Sequence, residues 1–165
     1  MVAPGGGVGG TALGDRLRGN EILLVPVLYY VLHILEELPS FAVWASRHFA
    51  EKSELVFAVF EILTLAFVLL VSYRAMLARA HGGWVILAVA AQVQFGLNAL
   101  FHLATAAMFG EYSPGMVTAG ALGLPITVFF LVEIVRERRL TRRELVVAFT
   151  IGFLIATGAV AALFL

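Results

Sequence analysis

The chain has 165 residues, of which 61% are Ala, Val, Ile, Leu, Met, Phe, Trp, Tyr or Cys and only 13% are charged. So little polar surface cannot cover so apolar a core in water, which excludes an ordinary soluble domain. The 11 basic side chains balance 11 acidic ones and cysteine is absent, which removes nucleic-acid binding along a basic stripe, disulfides and thiolate metal chemistry.

What remains is an all-α integral membrane protein built as a helical bundle. Residues 1–19 include the run Pro4-Gly5-Gly6-Gly7-Val8-Gly9-Gly10, which lacks the preceding strand of a phosphate loop and reads as a flexible tail. Residues 20–165 read as one transmembrane domain. A hydrocarbon core of about 30 Å needs about 20 helical residues. Five apolar runs meet that need: Glu21–Leu38, Glu54–Tyr73, Trp84–Phe109, Pro114–Val135 and Leu145–Leu165. Helices are required because lipid offers the backbone no partners, and the runs lack the alternation of barrel strands.

The first run resembles a signal peptide in length, with Val43-Trp44-Ala45 mimicking a cleavage site. His33, Glu36 and Glu37 in or beside its apolar region argue instead for a retained helix. Nine of the 11 basic residues flank one side: Arg16, Arg18, Arg74, Arg79, Arg136, Arg138, Arg139, Arg142 and Arg143. Only Arg47 and Lys52 flank the other, so the N-terminus is expected in the cytoplasm of a plasma-membrane protein.

Polar residues inside spans need partners or a task. His33, Glu36 and Glu37 share neighbouring parts of one face of the first span, with Tyr29 and Pro26 on the same stripe. Glu61, with Thr64 nearby, lies in the second. Gln94, Asn98 and His102 step by four along the third. His33 stands five residues from its helix end, and Glu61 and His102 each stand seven from theirs. At 1.5 Å per residue those offsets are roughly 7 to 11 Å, so three helices offer His, Glu and His at a common depth. His and carboxylate groups on facing helices are how bundles hold metals. This thiol-free set suits a divalent transition metal such as Fe, Mn or Zn. Expected ligands are His33, Glu36 or Glu37, Glu61 and His102, with Asn98 orienting one of them. The same groups also fit simpler roles, as interfacial ion pairs or as hydrogen-bond glue between helices.

His48 lies in Phe41–Phe49, which reads as a short interfacial helix; it is either a further ligand folded over the polar layer or a surface histidine. Trp44, Trp84 and Tyr112 are expected in the aromatic belt. Pro125, near Gly120 and Gly123, should free the carbonyl of Ala121 and kink the fourth span. Glu133 should pair with Arg136 at the span edge, and Glu21 should favour the first helix dipole. Arg136–Arg143 should set topology and touch anionic lipid. Ala148, Gly152 and Ala156 form a small-residue ridge for close packing.

His33-x-x-Glu36-Glu37, followed by Pro39, Trp44 and His48, resembles the HXXEE family of small bacterial membrane proteins. The later residues Asn98-x-x-x-His102, Tyr112-Ser113-Pro114-Gly115-Met116-Val117-Thr118 and Leu124-Pro125 carry the resemblance to about residue 135. The resemblance implies a membrane protein with signature positions His33, Glu36, Glu37, Asn98 and His102, and implies no reaction.

The leading expectation is a metal-dependent enzyme acting on a hydrophobic small molecule from within the bilayer, with membrane lipids around it. A metal-free alternative uses Glu37 or Glu61 as general acid–base beside His102. An ion or proton pathway, a sensor and a structural role complete the alternatives; a pathway lacks polar residues in the cytoplasmic half of the spans beyond Gln92, Gln94 and edge groups.

Overall fold

A computed structural model describes residues 20–78 and 82–165. A 3₁₀ turn, Glu21–Leu24, leads into α1 (Val25–Glu37), followed by α2 (Phe41–His48), α3 (Glu54–Leu77), α4 (Gly83–Phe109), α5 (Met116–Arg136) and α6 (Arg142–Ala162). No strand occurs among the described residues. The helical membrane-type bundle expected from composition is therefore what the chain forms.

Local chemistry sets the helix ends. The Ser53 hydroxyl accepts from the Val56 N–H at 3.4 Å to cap α3, and Thr141 with Glu144 forms a reciprocal capping box at α6; both satisfy donors that a first helical turn leaves free. Gly110, at φ +66°, closes α4 in the left-handed conformation that glycine adopts without penalty. Pro39 lacks the N–H that would continue α1, and the chain bends by 68° into α2.

Four helices (α3 to α6) are long and apolar enough to cross a membrane; Glu21–Glu37 reaches that length only together with α2 across the bend. The first expected span therefore takes the form of a bent pair, and the chain has four candidate crossings, or five with that pair counted as one. Helix α4 is the hub, with half of its apolar window buried against 17% to 28% in the other three spans. Its most extensive partner is α6, where Ala148, Gly152 and Ala156 are the buried residues. A Cβ at Gly152 would lie 2.6 Å from the Ala90 carbonyl oxygen, so the small-residue ridge is what permits this approach.

The two ends of the bundle differ. One end holds Arg74, Arg136, Arg138, Arg139, Arg142 and Arg143; there Asn20 donates to the Met76 carbonyl at 3.0 Å, and Arg136 donates to Glu133 at 2.5 Å as expected. Arg16, Arg18, Arg79 and the Gly-rich tail lie outside the described residues. At the opposite end, Ala50 N–H donates to the Leu163 carbonyl at 3.0 Å and Lys52 to Ala162 at 2.9 Å. These bonds tie the α2–α3 connection to the close of α6.

Two local expectations need correcting. Trp44 does not sit in an aromatic belt. It is 1% exposed, packed with Phe41 and Ala45 against Phe49 and Phe109, because the bend turns this face of α2 inward. At Pro125 the expected kink gives way to a π-helical stretch over Ala119–Gly123, just before the proline, within a helix that continues to Arg136. Widening the turn absorbs the hydrogen bond that proline cannot make.

Candidate metal centre

Three side chains from two helices meet just beneath α2. His33 and Glu37 are one turn apart on α1, and His102 comes from α4. His33 and His102 are 0% exposed and Glu37 4%. Each offers one ligand atom, and the three atoms lie within 4.8 Å of one another. His102 Nε2 is 3.1 Å from Glu37 Oε1, and His33 Nε2 is 3.5 Å from Glu37 Oε2. The rings stand edge-on with centroids 5.0 Å apart. This buried group can hold a metal ion.

Asn98, one turn before His102 on α4, lies against both rings. Its Nδ2 is 3.0 Å from His33 Nε2 and 3.2 Å from His102 Nε2. Rotating the amide by half a turn would offer its carbonyl oxygen at the same place, as a fourth ligand atom. The far nitrogens are engaged too. His33 Nδ1 meets the Thr118 hydroxyl at 2.8 Å, and His102 Nδ1 meets that of Ser113 at 3.2 Å. An imidazole oriented through its far nitrogen toward a common point is the usual setting of a metal-binding histidine.

The connection from α4 to α5 roofs the cluster. Gly115 sits at φ +98°, and a Cβ there would lie 2.8 Å from His33 Cε1, 2.9 Å from His102 Cε1 and 3.1 Å from Glu37 Cγ. Only glycine fits that backbone and that gap. From below, the Tyr29 ring stacks on His33 with centroids 5.4 Å apart, and its hydroxyl abuts Gly123 in the π-helical stretch. Phe41 of α2 closes the side, 5.6 Å from the His102 ring. The site is walled by aromatic carbon on two sides and by backbone above.

The other expected site residues fall elsewhere. Glu36 turns away to the start of α5, where it accepts from the Tyr112 hydroxyl, the Val117 and Thr118 N–H groups and the Thr118 hydroxyl, at 2.6 to 2.9 Å. Glu61 is buried but takes a 2.6 Å hydrogen bond from the Tyr30 hydroxyl and is not among the three converging groups. His48 reaches Glu111 at 2.8 Å and stacks on Phe109, so it belongs to the surface of this end. That bond, with Arg47 nearby, holds the Glu111 carboxyl below the ordinary carboxylate range. Partial burial, then the bond to Glu36, pushes the Tyr112 phenol up to about 12.

Thr118, Ser113 and Gly115 are site residues that periodicity could not reveal. The available signal was Pro114-Gly115 directly before a helix, which marks a turn that needs a positive φ.

Comparison with known proteins gives a family without a reaction. The chain belongs to the family described as proteins of unknown function with an HXXEE motif, whose model matches residues 23–130. No curated protein matches, and no solved structure does. The matched span covers His33, Glu37, Asn98, His102 and Gly115, hence the whole cluster.

Proposed function

We propose that this protein is a multi-pass membrane metalloprotein in which His33, His102 and Glu37 hold one divalent transition metal, acting on a lipid-soluble substrate. The observation that carries the reading is convergence: two imidazole nitrogens and a carboxylate, all buried, point at one place while both outer nitrogens are occupied by hydroxyls. With both Nε2 atoms unprotonated, these acceptors packed away from water would be balanced by a shared cation. Two imidazoles with one carboxylate suit zinc and non-haem iron alike, and manganese through its oxygen donors. A metal there would polarise a substrate oxygen or activate water or oxygen.

A cavity beside the cluster supports the choice of substrate. A cavity of about 360 Å³ opens between α4 and α6, lined by Gln94, Leu97, Asn98, Phe153, Thr157 and Val160 among others. Its volume lies within the range of small-ligand pockets. Asn98 borders both this cavity and the two imidazoles. A molecule entering between two apolar helices must be lipid-soluble, and its polar group would meet Asn98 first.

Metal analysis of protein purified in mild detergent tests the reading. Near one equivalent of a transition metal is expected in the wild type, and almost none in a His33→Ala, His102→Ala double variant. A wild type that carries no transition metal and binds none on titration would end it. One observation favours a second reading: the Asn98 amide already bridges the two Nε2 atoms, so the cluster also closes as a hydrogen-bonded acid–base site. Activity surviving exhaustive chelation would select that version.

A further inference from the structure

The HXXEE motif supplies two adjacent glutamates, and only Glu37 faces the cluster. The role of Glu36 follows from counting donors and acceptors. Glu36 Oε1 receives the Tyr112 hydroxyl at 2.6 Å and the Val117 N–H at 2.9 Å. Its Oε2 receives the Thr118 N–H at 2.7 Å and the Thr118 hydroxyl at 2.6 Å. Four donors on two oxygens leave no place for a proton, so this group is a carboxylate that only accepts. Val117 and Thr118 are in the first turn of α5, whose N–H groups have no partner within the helix. A carboxylate from another helix is favoured there by the helix dipole as well.

The consequence passes to the histidine. A threonine hydroxyl has one proton, and here it is committed to an oxygen: Glu36 at 2.6 Å, with the Gly115 carbonyl at 3.2 Å as the only other candidate. Toward His33 Nδ1, 2.8 Å away, the same hydroxyl can therefore only accept. We infer that Glu36, through Thr118, is a positioning residue that keeps the His33 proton on Nδ1 and turns an unprotonated Nε2 toward Glu37 and His102. The Asn98 amide, 3.0 Å from that Nε2, presents its NH2 to a lone pair in this orientation and its oxygen to a bound cation in the other.

His102 is held by other partners, among them the Pro114 backbone carbonyl, which can only accept. Its Nδ1 faces Ser113, whose hydroxyl can donate or accept. The Thr105 hydroxyl, 3.3 Å from that of Ser113, has backbone carbonyls of Phe101 and His102 as alternative acceptors. The chain through Glu36 and Thr118 thus belongs to His33 alone, and His102 is held by Ser113 and the Pro114 carbonyl. This assignment rests on the metal reading only for the identity of the cation that the lone pair meets.

The test is histidine tautomer NMR on chelator-treated protein with labelled imidazole nitrogens and carbons, followed by titration with Zn²⁺ alone. In the wild type, His33 is expected with its proton on Nδ1. Thr118→Val, which keeps the shape and removes the hydroxyl, should release the proton to Nε2 and weaken Zn²⁺ binding about 10- to 100-fold. Thr118→Ser should restore both, which a merely structural effect of the substitution would not produce. If Thr118→Val fails to fold, the wild-type spectrum still decides, because a proton on Nε2 of His33 overturns the inference. So does a tautomer that Thr118→Val leaves unchanged. Protein that binds no Zn²⁺ yet shows the Nδ1 proton and loses it in Thr118→Val would remove the metal reading and uphold this one.

Discussion

Two carboxylates lie buried in the bundle, and their surroundings differ. Glu37 is 4% exposed and Glu61 6%, so burial does not distinguish them. Glu61 has a donor dedicated to it, the Tyr30 hydroxyl at 2.6 Å, and Tyr30 itself is held by stacking on Phe95. Glu37 faces His102 Nε2 at 3.1 Å and His33 Nε2 at 3.5 Å, the latter with its lone pair inward. One region is a closed pair that tightens packing between α1 and α3. The other gathers two imidazole nitrogens and a carboxylate at one place, with the Asn98 amide against both rings. An intramembrane carboxylate marks a functional site by what converges on it, since an expensive group can also be satisfied by one neighbour.

The largest effect expected from breaking this contrast comes from the roof. Gly115→Ala forces a side chain into a positive φ and against His33, His102 and Glu37 at once. It should destabilise the protein by about 2 kcal/mol or more and abolish metal binding, read by thermal unfolding in detergent and metal titration. Tyr30→Phe attacks the other region. It strips Glu61 of its donor and should cost about 1–3 kcal/mol, while metal content stays at the wild-type level.

The smallest effect lies outside both regions. His48→Ala removes the first cause of the low Glu111 pKa, so that carboxyl should titrate closer to its ordinary value. A depressed folded-state pKa stabilises above the unfolded value and loses that contribution as pH falls through the folded one. The variant should therefore lose its stability difference from wild type only in acid, below the ordinary carboxylate range. Carboxyl NMR titration of Glu111 in both proteins checks the shift, and metal content should not change.

The fold was largely legible in the sequence because membrane crossing imposes length and apolarity on each helix. Rise per residue is fixed along a helix, so the positions of His33 and His102 in their spans likewise put them at one depth. Rotation about the helix axis was not legible. Neighbouring residues differ by about 100°, and nothing in a single sequence says that Glu37 rather than Glu36 faces α4. Glu61 shares the depth of the cluster but points at Tyr30 for the same reason. Trp44 fits an aromatic belt by residue type, but the direction of the 68° bend after α1, which turns it inward against Phe41 and Ala45, is not written in the residues around Pro39. Gly115 and Thr118 belong to a turn and a first helical turn, where no periodicity exists to read.

The contrast between the two carboxylates is tested most directly by measuring bound transition metal in three detergent-purified proteins side by side: wild type, Glu37→Gln and Glu61→Gln. Both substitutions keep the side-chain shape and remove one buried acid. Convergence as the basis of the site requires metal in the wild type and in Glu61→Gln at the same stoichiometry, and its loss in Glu37→Gln. Equal loss in both variants, or metal retained in Glu37→Gln, would contradict it.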